Sequence, residues 1–142
     1  MQTFLPYSDF IQSARCLDRQ RLGKQRVEVL QLLNALTDRK GGWVNHPAAK
    51  MWCRYIPCLA SYGIEIVAEW QRRGYKDSCR EKILPYLTYK GQGFFDIIPD
   101  PPWLGREDFH ASHRSNLLRK DPEWYGQFGW TEPNDLPYVW PV

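Results

Sequence analysis

The residues with the clearest potential for chemistry lie in the stretch LDRQRLGKQRVE, residues 17–28. Four basic side chains, Arg19, Arg21, Lys24 and Arg26, precede Glu28, the acid that ends this stretch. On a helix that turns by about 100° per residue, Arg21 and Lys24 share a face with Glu28. A carboxylate flanked by cations stays ionised, so it can act as a base or stabilise a developing positive charge. The same pattern is also typical of an exposed, salt-bridged helix face, which periodicity alone favours.

Two further stretches contain side chains that could bind phosphates or bases. GWVNHPAAKMW places His46 directly before a predicted helix start, where backbone N–H groups can hold a phosphate. A loop histidine is, however, more often a hydrogen-bonded structural residue. FHASHRSNLLRKDPEWYGQFGW joins basic residues to a run of aromatic residues: His110, His113, Arg114, Arg119 and Lys120, then Trp124, Tyr125, Phe128 and Trp130. Basic groups bind phosphates and flat rings stack on bases, although aromatic residues this dense are also typical of a core.

The composition restricts the classes of function. All 19 lysines and arginines lie in residues 1–120, so this part of the chain is more basic than the net charge of +3 indicates. An excess of positive charge is compatible with a polyanionic partner. The four cysteines show no CxxC pairing, which favours free, buried thiols over disulfides or a zinc site. Glycine-rich nucleotide-binding motifs and the G-x-S-x-G motif are absent, so neither a nucleotide cofactor nor a serine triad is indicated. No apolar run reaches the roughly 18 residues of a membrane helix and no signal-peptide pattern is present, so we expect a cytoplasmic protein.

The elements that must position these residues are helices. The length of 142 residues fits one compact domain, residues 1–142. Apolar spacing and the positions of proline and glycine predict a short extended opening at 3–7 and then five helical segments. They are a helix from about Asp9 capped by Ser8, a long helix over 17–36, a region over 47–73 that Pro57 kinks or divides, a short helix near 78–86, and a helix over 108–119 capped by Asp108. The sequence therefore predicts an all-α domain of three main helices with long loops and an irregular, aromatic C-terminal tail.

Together these stretches resemble a known family, the pyrimidine-dimer DNA glycosylases with AP-lyase activity, of the phage endonuclease V type and its bacterial relatives. LDRQRLGKQRVE resembles the first-helix motif of that family, with Glu28 in the position of the catalytic glutamate. NHP, at 45–47, matches a motif of the bacterial relatives, with His46 near the active site. IEIVAEWQRRGY, at 64–75, is similar to the third-helix segment, and DPEWYGQFG, at 121–129, is similar to the C-terminal aromatic segment.

The resemblance implies a mechanism without cofactor or metal. In the family the nucleophile is the α-amine of the residue that follows the removed methionine. An α-amine ordinarily has a pKa of about 7.7–8.0, which makes it a better nucleophile at neutral pH than a lysine. Gln2 disfavours removal of Met1, so the amine would belong to Met1 or, after removal, to Gln2. An alternative within the same chemistry is Lys24, one turn before Glu28.

The resemblance also implies a partner, which is double-stranded DNA carrying a damaged or modified base. The residues expected to contact it are Arg19, Gln20, Arg21, Arg26, His46, Arg114, Arg119, Lys120, Trp124 and Tyr125. Val27 replaces an arginine that usually precedes the glutamate, so Arg21 or Arg26 would supply part of the phosphate contact. We expect a monomer near the nucleoid of a bacterium or phage-infected cell. Two alternatives remain open, a non-catalytic nucleic-acid-binding protein on the same fold and a glycosylase for another modified base.

Overall fold

The computed structural model describes residues 1–39, 41–91 and 98–142, and all regular secondary structure in these ranges is helical. The helices are α1 Phe10–Cys16, α2 Arg19–Asp38, α3 Pro47–Trp52, α4 Ile56–Arg72, α5 Arg80–Ile83, α6 Glu107–Lys120 and α7 Pro122–Tyr125, with 3₁₀ segments at Leu84–Gly91 and Gly126–Phe128. The three longest helices, α2, α4 and α6, correspond to the three main helices of the prediction. The all-α fold class is therefore confirmed.

Capping side chains set the starts of the first two helices. The Asp9 carboxylate accepts hydrogen bonds from the backbone N–H groups of Ile11 and Gln12, so Asp9 caps α1 and the prediction of Ser8 as the cap is wrong. An aspartate carboxylate satisfies two N–H groups that the first turn leaves without partners. Asp18 caps α2 in the same way, through a bond from the N–H of Arg21. The long helix therefore begins at residue 19, two residues later than predicted.

The region predicted over 47–73 divides into two helices. α3 ends at Trp52 and α4 begins at Ile56, so the predicted division is confirmed. Pro57 lies in the first turn of α4, where the missing N–H costs no helical hydrogen bond. The predicted start of α6 is wrong, because Arg106 occupies the cap position and Asp108 lies in the first turn.

The C-terminal tail is more regular at its beginning than predicted. Pro122 begins the one-turn helix α7, which Asp121 caps by accepting a hydrogen bond from the Trp124 N–H at 3.1 Å. The expectation of an irregular tail is therefore wrong for residues 122–128. Residues 129–142 contain no regular secondary structure, as expected.

The core forms where α2 packs on α4. Leu22, Val29 and Leu33 of α2 are fully buried, as are Leu59 and Ile66 of α4. These apolar residues lie at the helical spacing that predicted the two helices. In the described part of the chain, none of the helices combines the length and apolar character needed to cross a membrane.

The four cysteine thiols are free, as predicted. Cys16, Cys58 and Cys79 are buried, whereas Cys53 is exposed between α3 and α4. The prediction of buried thiols is thus confirmed for three of them and wrong for Cys53.

Candidate active site

A cleft of about 310 Å³ lies where the N-terminus meets α2, the end of α6 and the C-terminal tail. Its volume is at the lower end of the range usual for ligand sites. The residues that line it are Met1, Gln2, Phe4, Gln20, Arg21, Lys24, Glu28, Lys120 and Tyr138. The four residues predicted to be catalytic, Met1, Gln2, Lys24 and Glu28, are all in this set. The structure thus brings together residues from both ends of the chain.

Helix α2 supplies the acid of the cleft. Gln20, Lys24 and Glu28 follow one another at intervals of four residues, so they lie along one face of the helix. The Lys24 Nζ is 3.7 Å from the Glu28 Oε1, and the exposed fractions of the two side chains are 75% and 13%. The carboxylate is therefore largely covered, while its cationic partner extends into solvent. Because the Lys24 ammonium lies largely in solvent, water screens its attraction to the carboxylate, and Lys24 can move aside when a ligand enters.

A buried glutamine of α2 fixes the N-terminal segment beside this acid. The Gln25 Oε1 accepts a hydrogen bond from the Phe4 N–H at 2.9 Å, and its Nε2 donates to the Gln2 carbonyl at 2.7 Å. The Tyr62 hydroxyl of α4 donates to the Phe4 carbonyl at 2.6 Å. Side chains of α2 and α4 therefore bond the backbone groups of this extended segment, which a neighbouring strand would bond in a sheet. Met1 and Gln2 are consequently held at the cleft.

Two histidines of α6 hold the next residue of the segment. The His113 Nδ1 accepts a hydrogen bond from the Leu5 N–H, and the His110 Nδ1 donates to the Leu5 carbonyl, both at 2.8 Å. The Gly105 N–H donates to the His110 Nε2 at 2.9 Å, so the proton of the His110 ring is on Nδ1. Burial lowers the pKa of His113 to about 3 and also lowers that of His110, so both rings are neutral at physiological pH. These histidines position the N-terminus and do not contribute positive charge.

Three of the predicted DNA contacts line the cleft: Gln20, Arg21 and Lys120. The Arg21 Nη1 is 3.1 Å from the Asp18 Oδ1, and its side chain is still 24% exposed. Burial opposes ionisation of Asp18, but hydrogen bonds from Tyr125 and Arg21 outweigh it and lower the pKa of the Asp18 carboxyl. Asp18 therefore stays charged and orients the guanidinium.

His46 lies at the start of α3 and is not among the residues that line the cleft. Its Nδ1 accepts a hydrogen bond from the Ala48 N–H at 3.0 Å, which makes it the cap of α3. The rings of Trp43 and Trp140 pack edge-on against it, with centroids at 5.4 and 5.6 Å. Partial burial, and then the nearby N-terminal amine, lower the pKa of His46, while Glu28 acts in the opposite direction. His46 is therefore a neutral, structurally engaged neighbour of the Met1 amine.

Three other predicted DNA contacts are engaged inside the protein. Arg26 forms an ion pair with Asp77 and lies 4.4 Å from the centroid of the Trp70 ring. Arg114 is buried, forms ion pairs with two glutamates, Glu107 and Glu132, and donates to the Pro6 carbonyl at 2.7 Å. Tyr125 is fully buried, with its hydroxyl hydrogen-bonded to Asp18. Because the two guanidinium groups are already paired with carboxylates and the Tyr125 ring is fully buried, these three residues are not among the proposed contacts.

The remaining predicted contacts are exposed but lie outside the set that lines the cleft. Arg19 lies 5.8 Å from the centroid of the Tyr75 ring. Arg119 donates to the Asn134 carbonyl at 2.9 Å and so holds the tail. The Trp124 indole N–H donates to the Cys16 carbonyl at 2.7 Å, and Trp124 is 37% exposed.

The sequence interpretation missed several residues that form or support the site. Phe4 and Tyr138 line the cleft but stand in no recognised motif. Gln25 did carry a signal, because it is a polar residue in the apolar stripe of Leu22 and Val29, and a polar group at a core position needs partners. Among the side chains that the structure describes, no three His, Cys, Asp or Glu residues are grouped so that they could hold a metal ion.

The cations Arg21, Lys24 and Lys120 give the cleft a basic character, and a basic patch is the electrostatic footprint of a nucleic-acid-binding protein. The model of a protein family described as pyrimidine dimer DNA glycosylase matches residues 1–82. The chain therefore belongs to the pyrimidine dimer DNA glycosylase family, as its resemblance predicted, and is a DNA repair protein. A search of curated proteins and a search of solved structures each gave no significant match. The family match includes Met1, Lys24 and Glu28, whereas Lys120 and Tyr138 lie beyond it.

Proposed function

We propose that the protein is a DNA glycosylase and AP lyase that excises a damaged pyrimidine, with a cyclobutane pyrimidine dimer as its substrate. The observation that carries this proposal is that the N-terminal residue Met1 and the acid Glu28 line one cleft together with Arg21, Lys24 and Lys120. This combination supplies an amine, a carboxylate and phosphate-binding cations at one place. It supports the activity that family membership indicates.

In the proposed reaction the Met1 amine attacks C1′ of the damaged nucleotide. A bond forms between this nitrogen and C1′, and the glycosidic bond breaks, so its electron pair leaves with the base. Opening of the sugar ring gives an imine between Met1 and C1′. Loss of a proton from C2′ then expels the phosphate at C3′, and water releases the enzyme from the sugar. Glu28 stabilises the positive charge on the sugar and accepts protons in these steps.

The cations of the cleft bind the DNA backbone in this proposal. Arg21 and Lys120 contact phosphates close to the lesion, and the exposed Arg19 contacts the backbone farther away. Such contacts give affinity and set the register of the DNA, but they do not select the base. Selection of the damaged base therefore needs other groups.

Reduction with borohydride in the presence of a duplex with an abasic site tests the covalent step. We expect a trapped adduct that mass spectrometry maps to the amine of Met1, and Lys24→Gln should still form it. An adduct at Lys24 would contradict the role of the terminal amine, as would an acetylated N-terminus in the mature protein. If no adduct forms at all, the lyase activity itself is refuted.

Replacement of Glu28 by glutamine tests the role of the acid. Strand cleavage should fall by about 100-fold or more, because the neutral amide neither accepts a proton nor stabilises a cationic sugar. DNA affinity, measured by fluorescence anisotropy, should change little. Glu81→Gln is the matched control, because the side chain of Glu81 is 85% exposed and lies outside the cleft.

Equal cleavage by Glu28→Gln and wild-type protein would favour a non-catalytic DNA-binding protein on the same fold. A panel of duplexes that each carry one altered base tests the substrate. Excision of a different modified base, with the dimer left intact, would replace the proposed substrate and keep the mechanism.

A further inference from the structure

The C-terminal tail forms one wall of the cleft. Tyr138 lines the cleft beside Arg21 and Glu28, although it is more than 100 residues away from them in the sequence. It also lies outside the part of the chain that matches the family. The tail therefore adds a group to the site that the matched region does not contain.

A polar face of α6 fixes the backbone on both sides of Tyr138. The Ser115 hydroxyl accepts a hydrogen bond from the Leu136 N–H at 3.0 Å, and Asn116 donates to the Leu136 carbonyl at 3.0 Å. The Ser112 hydroxyl accepts from the Val139 N–H at 3.1 Å. Since α6 holds the backbone two residues before and one residue after position 138, the Cα of Tyr138 has a fixed position.

The ring of Tyr138 is also fixed and forms part of an aromatic surface. It packs against His113 and Trp140, with centroids at 5.5 and 5.6 Å. Phe4, the other aromatic ring that lines the cleft, packs edge-on against the same His113 at 6.4 Å. The two aromatic side chains that line the cleft thus pack against the same histidine, and aromatic faces stack on nucleobases.

The Tyr138 hydroxyl has an unused capacity for hydrogen bonding. Over the described ranges 1–39, 41–91 and 98–142, no protein group is hydrogen-bonded to it, whereas the Tyr62 and Tyr125 hydroxyls are bonded. Burial raises the pKa of Tyr138 to about 12, so the phenol is neutral at physiological pH. A neutral hydroxyl that can donate and accept matches the carbonyl and N–H groups of a base edge, whereas the arginine and lysine side chains match phosphates.

We propose that Tyr138 is a specificity-determining residue, whose hydroxyl forms a hydrogen bond with the edge of the damaged pyrimidine while that base lies in the cleft. This inference rests on the proposed function, since it assigns a contact to the base that is excised. It gives the cleft two separate tasks. The cations bind the backbone, and the tail contacts the base.

The test compares two substrates with the variant Tyr138→Phe. Base excision from a duplex with one cyclobutane dimer should fall about tenfold, because one hydrogen bond to the base is lost. Strand cleavage at a preformed abasic site should be unchanged, because this substrate has no base. Tyr138→Leu also removes the ring, and excision should fall by about a further tenfold.

Tyr86→Phe is the matched control, because the Tyr86 hydroxyl donates to the Asn34 side chain at 2.9 Å and lies outside the cleft. It should excise and cleave at the wild-type rates, and thermal unfolding should show that all variants are folded. An equal loss on both substrates, or no loss on either, would overturn the role of Tyr138 and leave the proposed function standing. Wild-type protein that neither excises the base nor forms a trapped adduct would overturn the proposed function and this inference with it.

Discussion

Gln25 offers the sharpest test of how the N-terminal segment is held, and the informative variant is Gln25→Met. The side chain of Gln25 is 1% exposed and bonds both the Phe4 N–H and the Gln2 carbonyl. Methionine has a similar length and a similar helix propensity, so the shape of the core and the stability of α2 change little. The substitution therefore removes hydrogen bonds with little other change.

The size of the effect follows from the two backbone groups that lose their partner. A buried polar group without a hydrogen bond costs about 1–3 kcal/mol, so the loss of two such bonds should lower the free energy of unfolding by about 2–6 kcal/mol. Domains of this size are typically stable by about 5–15 kcal/mol, so the variant should still be folded at 25 °C. Formation of the proposed trapped adduct should also slow, because Gln25 no longer holds the N-terminal segment at the cleft.

Urea denaturation followed by tryptophan fluorescence measures the loss of stability, and borohydride trapping at a temperature where both proteins are folded measures the loss of reactivity. Gln31→Met is the matched control, because Gln31 lies on the exposed face of the same helix and its replacement should change stability by less than about 0.5 kcal/mol. A loss below about 1 kcal/mol for Gln25→Met, with an unchanged trapping rate, would refute the reasoning. The N-terminal segment would then be held without Gln25.

Two further predictions concern pH and charge. Lowering the pH from 7 to 5 should reduce the free energy of unfolding, because His113 has a pKa of about 3 in the folded protein and about 6.5 in the unfolded chain, which therefore binds a proton first. Urea denaturation at several pH values measures how the free energy of unfolding changes with pH. A free energy that does not change over this range would contradict the burial of a neutral His113. Lys120→Ala should weaken DNA binding and reduce the slope of log K against log salt by about 1. Arg114→Ala should leave this salt dependence unchanged. It should destabilise the protein by about 3 kcal/mol, because the substitution leaves Glu132 without its ion pair. A smaller salt dependence of the Arg114→Ala variant would instead indicate that Arg114 contacts the DNA.

Local sequence signals predicted the helices because the causes of these helices are local. Leu22, Val29 and Leu33 recur at helical spacing and are fully buried, and Pro57 marks the start of α4. The same periodicity placed Lys24 and Glu28 on one face, and both line the cleft. The predicted cap positions were wrong by one or two residues, because neighbouring residues such as Ser8 and Asp9 are both of types that cap helices.

The functions of several polar residues could not be predicted, because their partners are distant in the sequence. His113 is hydrogen-bonded to Leu5, which is 108 residues away, and nothing in the residues around His113 indicates this contact. Arg26 and Arg114 appeared suitable for phosphates, but Asp77 and Glu132 already neutralise them. Periodicity shows which residues share a face, but only the tertiary fold shows what covers that face.

The long-range anchoring of the N-terminal segment has a consequence for synthesis of the protein. Leu5 is held by His110 and His113, which are synthesised more than 100 residues later. Contacts between such distant residues form late, because a long loop must close before they are made. A nascent or truncated chain that lacks α6 would therefore contain Met1 and Glu28 without the histidine anchors, so we expect the cleft to form only after α6 has been made.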